Sequence, residues 1–500
     1  MGCRIDASLD TITYVCDSLS DEVTDDGRLY LFDVASFEEN HINEKEPIAS
    51  VQMDDTTDRL VLSVPFEQRL LFTRFVPAIL RDGKYEQVDD GLYISNPEIL
   101  ADNNTPYSEP ASKKGLLLDA NTIGTEKLTD LNVKRVVFNI PISLIMGGST
   151  SECVPTEYFD YCGQHYEFDG FMLGGFDSLF KYLSDNGYHT TVIVLNDWNT
   201  RFPGMIHQKA RNKTSKSMYY AFNTEEEEGV RMMEAVALFL AGRYSGEHGL
   251  VQDWVIGNEV NQQKIWNYMD TDDVKYYTAS LEKSFRTFYN AIKSNYSNAR
   301  VFFSIDHDWN DNGGNNGKFF NARDILYEFN ACAESGGNYD WGVSIHPYPE
   351  PLTRVRFWQG SFEKTEEAPV LTPMNLTTIT DFMQKDEFLD TLGNVRNLGV
   401  TEVGFSSGGG EELQAAAFAY SYYIIDDNEY IDSYLLNRQT DDADSLKSGL
   451  AIGIYNKDYT KKVIADVFSN IDTPAGEDYI PKMLELTGFK TLEEALQKAR

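Results

Sequence analysis

The stretch Val251-Gln252-Asp253-Trp254-Val255-Ile256-Gly257-Asn258-Glu259 is a short apolar run that ends abruptly in a glycine, an amide and a carboxylate. Near-continuous apolar runs of this length mark strands buried on both faces, as in a parallel sheet. The same design recurs in Gly399-Val400-Thr401-Glu402-Val403-Gly404 and in Ser344-Ile345-His346-Pro347-Tyr348. Working outward from these three, strand-like segments fall at residues 115–119, 135–140, 190–195, 251–257, 300–305, 341–345, 399–403 and 431–436. Helical periodicity lies between them, most clearly over 176–185, 224–244, 271–294, 322–333 and 411–425. Repeated alternation of strand and helix predicts an α/β fold, specifically a closed (β/α)8 TIM barrel. An open doubly wound sheet usually carries a Gly-rich turn after its first strand. Here the first strand runs into Asp119-Ala120-Asn121-Thr122, and neither a GxGxxG nor a GxxxxGK[ST] pattern occurs.

The first hundred residues have another rhythm. Strand-like runs at 11–15, 28–34, 48–53, 60–64 and 68–76 are separated by polar turns such as Asp25-Asp26-Gly27 and Asp54-Asp55-Thr56. This spacing predicts a small β-sandwich-like domain. A polar stretch from Asn103 to Lys114 reads as the connection, giving an accessory domain over 1–112 and the barrel over 113–500, with 480–500 as an outer amphipathic helix. The run Glu225 to Glu228 reads as the positive end of a helix, capped by Asn223 or Thr224.

Composition narrows the function. With 43 basic and 79 acidic residues the net charge is −36, a field that repels nucleic acid, anionic membrane surfaces and polyanionic glycans. A neutral substrate fits best. Aromatics make up 13% of the chain; most serve the core, and a minority can serve as sugar platforms. No run of eighteen apolar residues occurs, so no membrane span is expected. The seven His include no HxH or HExxH, and the five Cys include no CxxC, so neither a metal nor a cofactor is expected. Cys3 with Cys16, and Cys153 with Cys162, are candidate disulfides; free thiols fit equally well. The start, Met1-Gly2-Cys3-Arg4, has no apolar leader segment. The Tyr and Asn content and the candidate disulfides point to an extracellular or cell-surface setting, with a leader removed.

In a β/α barrel the C-terminal strand ends form the active face. Glu259 ends the fourth strand and Glu402 the seventh. Glycoside hydrolysis needs such a pair: one carboxylic acid to protonate the leaving oxygen, one carboxylate to attack the sugar or activate water. Tyr348 is placed to donate to Glu402 and hold it ionised. Burial and nearby negative charge would keep Glu259 protonated. Asn258 is a partner for a sugar hydroxyl beside the scissile bond.

Gly257-Asn258-Glu259 resembles the Asn-Glu motif of clan A glycoside hydrolases. Thr401-Glu402-Val403-Gly404-Phe405 resembles their nucleophile motif on strand seven, and His346-Pro347-Tyr348 is similar to the His/Tyr element on strand six. The resemblance covers roughly residues 113–470. It implies retention, with Glu259 as acid/base, Glu402 as nucleophile and an equatorial (β-type) bond, or its α-L-arabinofuranoside equivalent, as target. The sequence departs from the clan in two places. Many members carry an Arg at the end of strand two, where this chain reads Phe138-Asn139-Ile140-Pro141 and Asn139 is the binding candidate. Many place a Trp after strand eight, where this chain reads Leu436-Asn437-Arg438-Gln439.

Other candidates stand beside plainer roles. Trp198 is a possible sugar platform and Asp197 a hydroxyl partner; loop packing and capping explain both equally. His307 and Trp309 are candidates for subsites. Asp308, Asn310, Asn312 and Gly313 echo the start of a calcium loop, but Phe319 stands where the closing Glu belongs. Arg438 would bind an acidic sugar or position Glu402, or pair with Asp441 or Asp442. Tyr219, Tyr220 and Trp358 lie in long loops on the active face. Two rivals remain. A catalytically silent carbohydrate-binding barrel would usually have lost one carboxylate. An amide or phosphate hydrolase would usually show a His cluster. The expected partner is an oligo- or polysaccharide.

Overall fold

The computed structural model describes residues 2–17, 22–39, 41–53, 59–212, 217–311 and 319–500. Eight parallel strands close into a barrel in chain order: β1 Lys114–Leu117, β2 Arg135–Pro141, β3 His189–Leu195, β4 Asp253–Ile256, β5 Arg300–Ile305, β6 Gly342–Ile345, β7 Leu398–Val403 and β8 Ile431–Leu436. The TIM-barrel expectation holds. All seven residues of β3 and all four of β4 are buried, which is why these strands read as continuous apolar runs. Leu117, Val137, Ile193, Leu195, Val255, Phe302 and Leu435 fill the interior, and the barrel is a packed core rather than a pore. Five long helices surround it: α1 Gly170–Asp185, α2 Glu227–Arg243, α3 Val274–Lys293, α4 Ala322–Ser335 and α5 Glu411–Asp427. Asp169 caps α1 by accepting from Phe171 and Met172 N–H, and Asp273 caps α3 in the same way. Before α2, the Asn223 side chain accepts from the Glu225 and Glu226 N–H groups.

The barrel floor is closed by charge. Arg300 reaches Asp253 (3.1 Å) and Asp432 (2.6 Å), and His189 lies 2.8 Å from Asp253. Charge at this face serves stability, while the opposite end is left for chemistry.

The N-terminal region forms two antiparallel sheets. One orders Gly2–Ile5, Thr11–Asp17 and Arg59–Pro65; the other orders Ala49–Gln52, Arg28–Val34, Arg74–Arg81 and Lys84–Gln87. Both contribute apolar residues to one buried cluster shared with the barrel. The segment read as a strand over 68–76 is instead a 3-10 turn at Gln68–Phe72 followed by a strand from Arg74. Leu70, Leu71 and Phe72 are all buried, and a turn can bury three neighbours in a row where a strand would send the middle one to the opposite face. The turn Asp54-Asp55-Thr56 lies outside the described residues.

These sheets are fastened to α3. The Asn290 amide donates to the Leu71 carbonyl (2.8 Å), Lys283 pairs with Glu39 (2.7 Å), and the Arg286 guanidinium lies over the rings of Tyr93 and Tyr339 at 4.6 and 4.0 Å. Residues 480–500 form two helices, Ile480–Thr487 and Leu492–Ala499, broken at Gly488 with φ +87°. All five cysteines are free thiols, so neither candidate disulfide forms. Among the described residues no helix is long and apolar enough to cross a membrane.

Candidate active site

The fourth strand ends in a sharp turn over the barrel mouth. Gly257 has φ +81° and Glu259 φ +42°, both left-handed. Glycine adopts this at no steric cost; for a glutamate the cost is of order 1–3 kcal/mol and persists only where neighbours hold it. The next strand does so: Glu259 N–H donates to the Ser304 hydroxyl and Val260 N–H to the Ser304 carbonyl, both at 2.8 Å.

On β7 the register against β8 slips. Val400 faces Tyr434 and Val403 faces Leu436, so three steps on β7 match two on β8. In a regular strand Thr401 and Glu402 would point to opposite faces. The bulge turns both into the mouth, a recurrent use of bulges beside functional sites. Thr401 Oγ1 meets His346, and Glu402 Oε1 meets Tyr348 and Asn437.

The resulting network is tight. Tyr348 donates to Glu402 Oε1 at 2.7 Å, and Asn437 Nδ2 donates to the same oxygen at 2.8 Å and to the Tyr348 hydroxyl at 2.8 Å. His346 is fully buried, with Nδ1 2.9 Å from Glu259 Oε1 and Nε2 3.1 Å from Thr401 Oγ1. One oxygen of Glu259, one ring nitrogen of His346 and one oxygen of Glu402 all lie within 4.8 Å of one another.

The two carboxylates sit in different surroundings. Burial pushes the Glu259 carboxyl up to about 7; the His346 hydrogen bond and charge oppose this, and the charges of Asp306 and Glu402 add to it. Burial works against protonation of His346, but the Glu402 charge and the hydrogen bond to Glu259 outweigh it and raise the imidazole. Burial, then the Glu402 charge, raises Tyr348 well above the usual phenol range, so it stays a donor.

Stability follows from the same shift. A carboxyl raised in the folded state favours folding when protonated, so its contribution is complete below about pH 4.5 and is lost as pH rises through about 7. Glu259→Gln, which carries no charge to bury, is therefore expected to be more stable than wild type at pH 8, by on the order of 2 kcal/mol, with the advantage gone by pH 4. Melting both proteins across that range checks it; equal midpoints at pH 8 would remove the buried-charge account.

The structure brings together Glu259, Glu402, His346 and Tyr348. Asn258 is buried beside Glu259, and its amide has no protein partner among the described residues. Asn139, on β2, follows the interior residue Val137 on the same face, is half-buried, and has a shielded, unpartnered Oδ1. Asp197 is committed to Ser143, whose N–H (2.8 Å) and hydroxyl both donate to it. Trp198 is half-buried and packs edge-on to Tyr220 at 5.3 Å. His307 lies 3.3 Å from Glu350, whose hydrogen bond, with the charges of Asp306 and Asp308, lifts it against burial to about 9.

One expectation is corrected, and one pair of alternatives is decided. Trp309 is wholly buried, its indole N–H donating to the Glu366 carbonyl (2.9 Å) and its ring edge-on to Phe382, so it is core and does not line a subsite. For Arg438 the structure shows the pairing alternative, with Asp442 at 2.9 Å; it also donates to Asn437 Oδ1 at 3.2 Å and is not a free cation for an acidic sugar. Asp441 is taken by Lys462 (2.7 Å). Asp308 accepts from the Gln262 amide at 2.6 Å, whereas Asn312 and Gly313 lie outside the described residues. Trp358 and Tyr220 are buried.

Sequence reading missed three contributors, Asn437, Thr401 and Trp266, and placed Tyr219 only as a loop residue of the active face. Asn437 and Thr401 were legible only as neighbours of better candidates. Tyr219 is half-buried over the barrel interior, where burial and the charges of Asp197 and Glu402 raise its phenol. Trp266, in the loop after Glu259, packs on Tyr219 with ring centres 5.9 Å apart. A tryptophan seven residues beyond Glu259 was the available signal.

Fold and site together define a (β/α)8-barrel protein with an imidazole-backed carboxyl and a second, doubly hydrogen-bonded carboxylate facing each other at the C-terminal mouth. Residues 106–495 match a family of unknown function (DUF5722), and the chain belongs to that family. No curated protein matches the sequence. Among solved structures, a family 39 glycoside hydrolase from the gut symbiont Bacteroides cellulosilyticus WH2 is similar at 14% identity, covering 95% of this chain and 83% of that one, with a TM-score of 0.47. The β-glucosidase of Pyrococcus furiosus is similar at 14% identity over 75% of this chain and 85% of its own, with a TM-score of 0.47. The β-glycosidase of Thermosphaera aggregans is similar at 14% identity over 75% and 88%, with a TM-score of 0.43.

Proposed function

We propose that this protein is a retaining glycoside hydrolase that cleaves an equatorial (β-type) glycosidic bond in a neutral oligo- or polysaccharide by double displacement. The observation that carries the reading is the pair of carboxyl groups across the barrel mouth, Glu259 against His346 and Glu402 under Tyr348 and Asn437, with one oxygen of each within 4.8 Å of the other. A separation near 5–5.5 Å suits direct attack on the sugar, whereas about 6.5–9.5 Å leaves room for a water and gives inversion. Glu402 attacks the anomeric carbon as Glu259 hands its proton to the leaving oxygen. Glu259, now ionised, takes a proton from water, and the hydroxide formed releases the sugar from Glu402. His346, with Nδ1 2.9 Å from Glu259 Oε1, holds that carboxyl in place through both steps. The free Asn258 amide is suited to a hydroxyl of the bound sugar.

The test is a panel of 4-nitrophenyl β-glycosides, with the product followed by NMR. Hydrolysis giving the β-anomer first supports the reading. No turnover anywhere on the panel, or the α-anomer first, counts against it.

A second reading rests on the same three side chains. Glu259, His346 and Glu402 present ligand atoms close enough for one divalent ion. The 2.9 Å His346–Glu259 contact is a hydrogen bond, which an ion between them would have to break. The expected result is that dialysis against EDTA changes glycoside turnover by less than about twofold. A large loss restored by Zn²⁺ or Mn²⁺ would move the assignment to metal-assisted hydrolysis.

A further inference from the structure

The position after β8 is filled by an amide, and its neighbours decide which way that amide faces. Asn437 is buried. Its Oδ1 accepts from Arg438 Nε at 3.2 Å, and Arg438 is in turn held by Asp442 at 2.9 Å. With Oδ1 engaged on that side, Nδ2 is turned to Glu402 Oε1 and the Tyr348 hydroxyl, each at 2.8 Å. The flipped amide would set Oδ1 against the carboxylate and Nδ2 against the guanidinium, placing acceptor on acceptor and donor on donor. Gly404 makes the approach possible: a Cβ there would lie 2.5 Å from the Asn437 carbonyl oxygen, so the tops of β7 and β8 close only on a glycine.

We propose that Asn437, oriented by Arg438 and Asp442, is a positioning residue that clamps Glu402 through Oε1. The proposal rests on the glycosidase reading in treating Glu402 as the nucleophile. Glu402 Oε2 has no partner among the described residues, so the clamp fixes one oxygen and leaves the other for attack. The groups facing Glu402 come from four elements: Glu259 after β4, His346 and Tyr348 after β6, Tyr219 from the loop after β3, and the Asn437–Arg438 pair after β8. Of these, only Tyr348 and Asn437 hydrogen-bond to Glu402.

Asn437→Asp tests the clamp, because it keeps the shape and replaces the donor with a like charge. In protein labelled with [5-¹³C]glutamate, the Glu402 carboxyl signal is identified by its loss in Glu402→Gln. Its titration is expected to move up by about one pH unit or more in Asn437→Asp. Arg438→Met, at a half-exposed position, removes the group that orients the amide. It is expected to move the signal in the same direction by a smaller amount, and it serves if Asn437→Asp does not fold. With an active 4-nitrophenyl glycoside, both variants are expected to lower kcat more than they change KM. A Glu402 titration unmoved in Arg438→Met and in folded Asn437→Asp overturns the clamp. The glycosidase reading fails separately: a shifted signal together with no turnover of any panel glycoside overturns that reading and leaves the hydrogen-bond clamp standing.

Discussion

Glu402→Gln is expected to lose turnover by on the order of 10⁴-fold or more on any glycoside the wild type cleaves. The variant keeps the shape, and its amide oxygen can still accept from Tyr348 and Asn437, so the site should remain assembled. What disappears, under the double-displacement proposal, is the carboxylate that attacks the anomeric carbon. The loss falls on the first chemical step and should appear in kcat and kcat/KM alike. A sharper result comes from Glu402→Ala with azide. The anion enters where the carboxylate stood and attacks the same face of the sugar, giving a glycosyl azide of inverted configuration. Near-wild-type activity in Glu402→Gln would remove Glu402 from the mechanism.

Glu259→Ala should behave differently, and the difference identifies the acid. With a good phenolate leaving group the first step needs no proton, so the sugar should load onto Glu402 and stall, visible as a burst. With a poor leaving group the loss should reach about 10²–10⁴-fold, the range typical for removal of a general acid. Azide should relieve the stall, since it needs no general base, and give an azide of retained configuration. The pH profile gives a second reading. In the proposed mechanism Glu259 serves as the acid only while protonated, and burial raises it to about 7, so wild-type kcat/KM should fall as pH rises through that value. The same limb should be missing in Glu259→Ala with an activated phenol. A limb that persists unchanged would mean that another group supplies the proton.

The sequence shows the barrel because its strands are buried on both faces. Residues such as Thr190-Thr191-Val192-Ile193-Val194-Leu195 need no alternation, and polar groups emerge only at strand ends, where Glu259, His346 and Glu402 stand. The rest depends on geometry that no local pattern encodes. Nothing in Val400-Thr401-Glu402-Val403 announces a bulge, because the bulge is a mismatch between two strands and only their pairing reveals it. Asn437 looked like the loss of a tryptophan until its amide met a carboxylate from another strand. Trp309 misled for the opposite reason. A tryptophan at a strand end suits a binding platform or a core plug, and the neighbour that decides, Phe382, lies 73 residues further on.

The N-terminal sheets and the barrel of this chain depend on each other. The family match begins at residue 106, beyond those sheets. Yet Arg286 and Asn290, well inside the matched span, are buried and find partners in Tyr93 and Leu71, outside it. A barrel without the sheets would leave the Asn290 amide without its acceptor, at about 1–3 kcal/mol if it stayed buried and unpaired, while Arg286 would lose the Tyr93 ring but keep Glu282 at 2.7 Å. The sheets are therefore not a module to be shuffled at will. Cutting the chain before residue 106 is expected to lower the melting point of the remaining barrel, and Asn290→Leu, which needs no acceptor, to restore part of the loss.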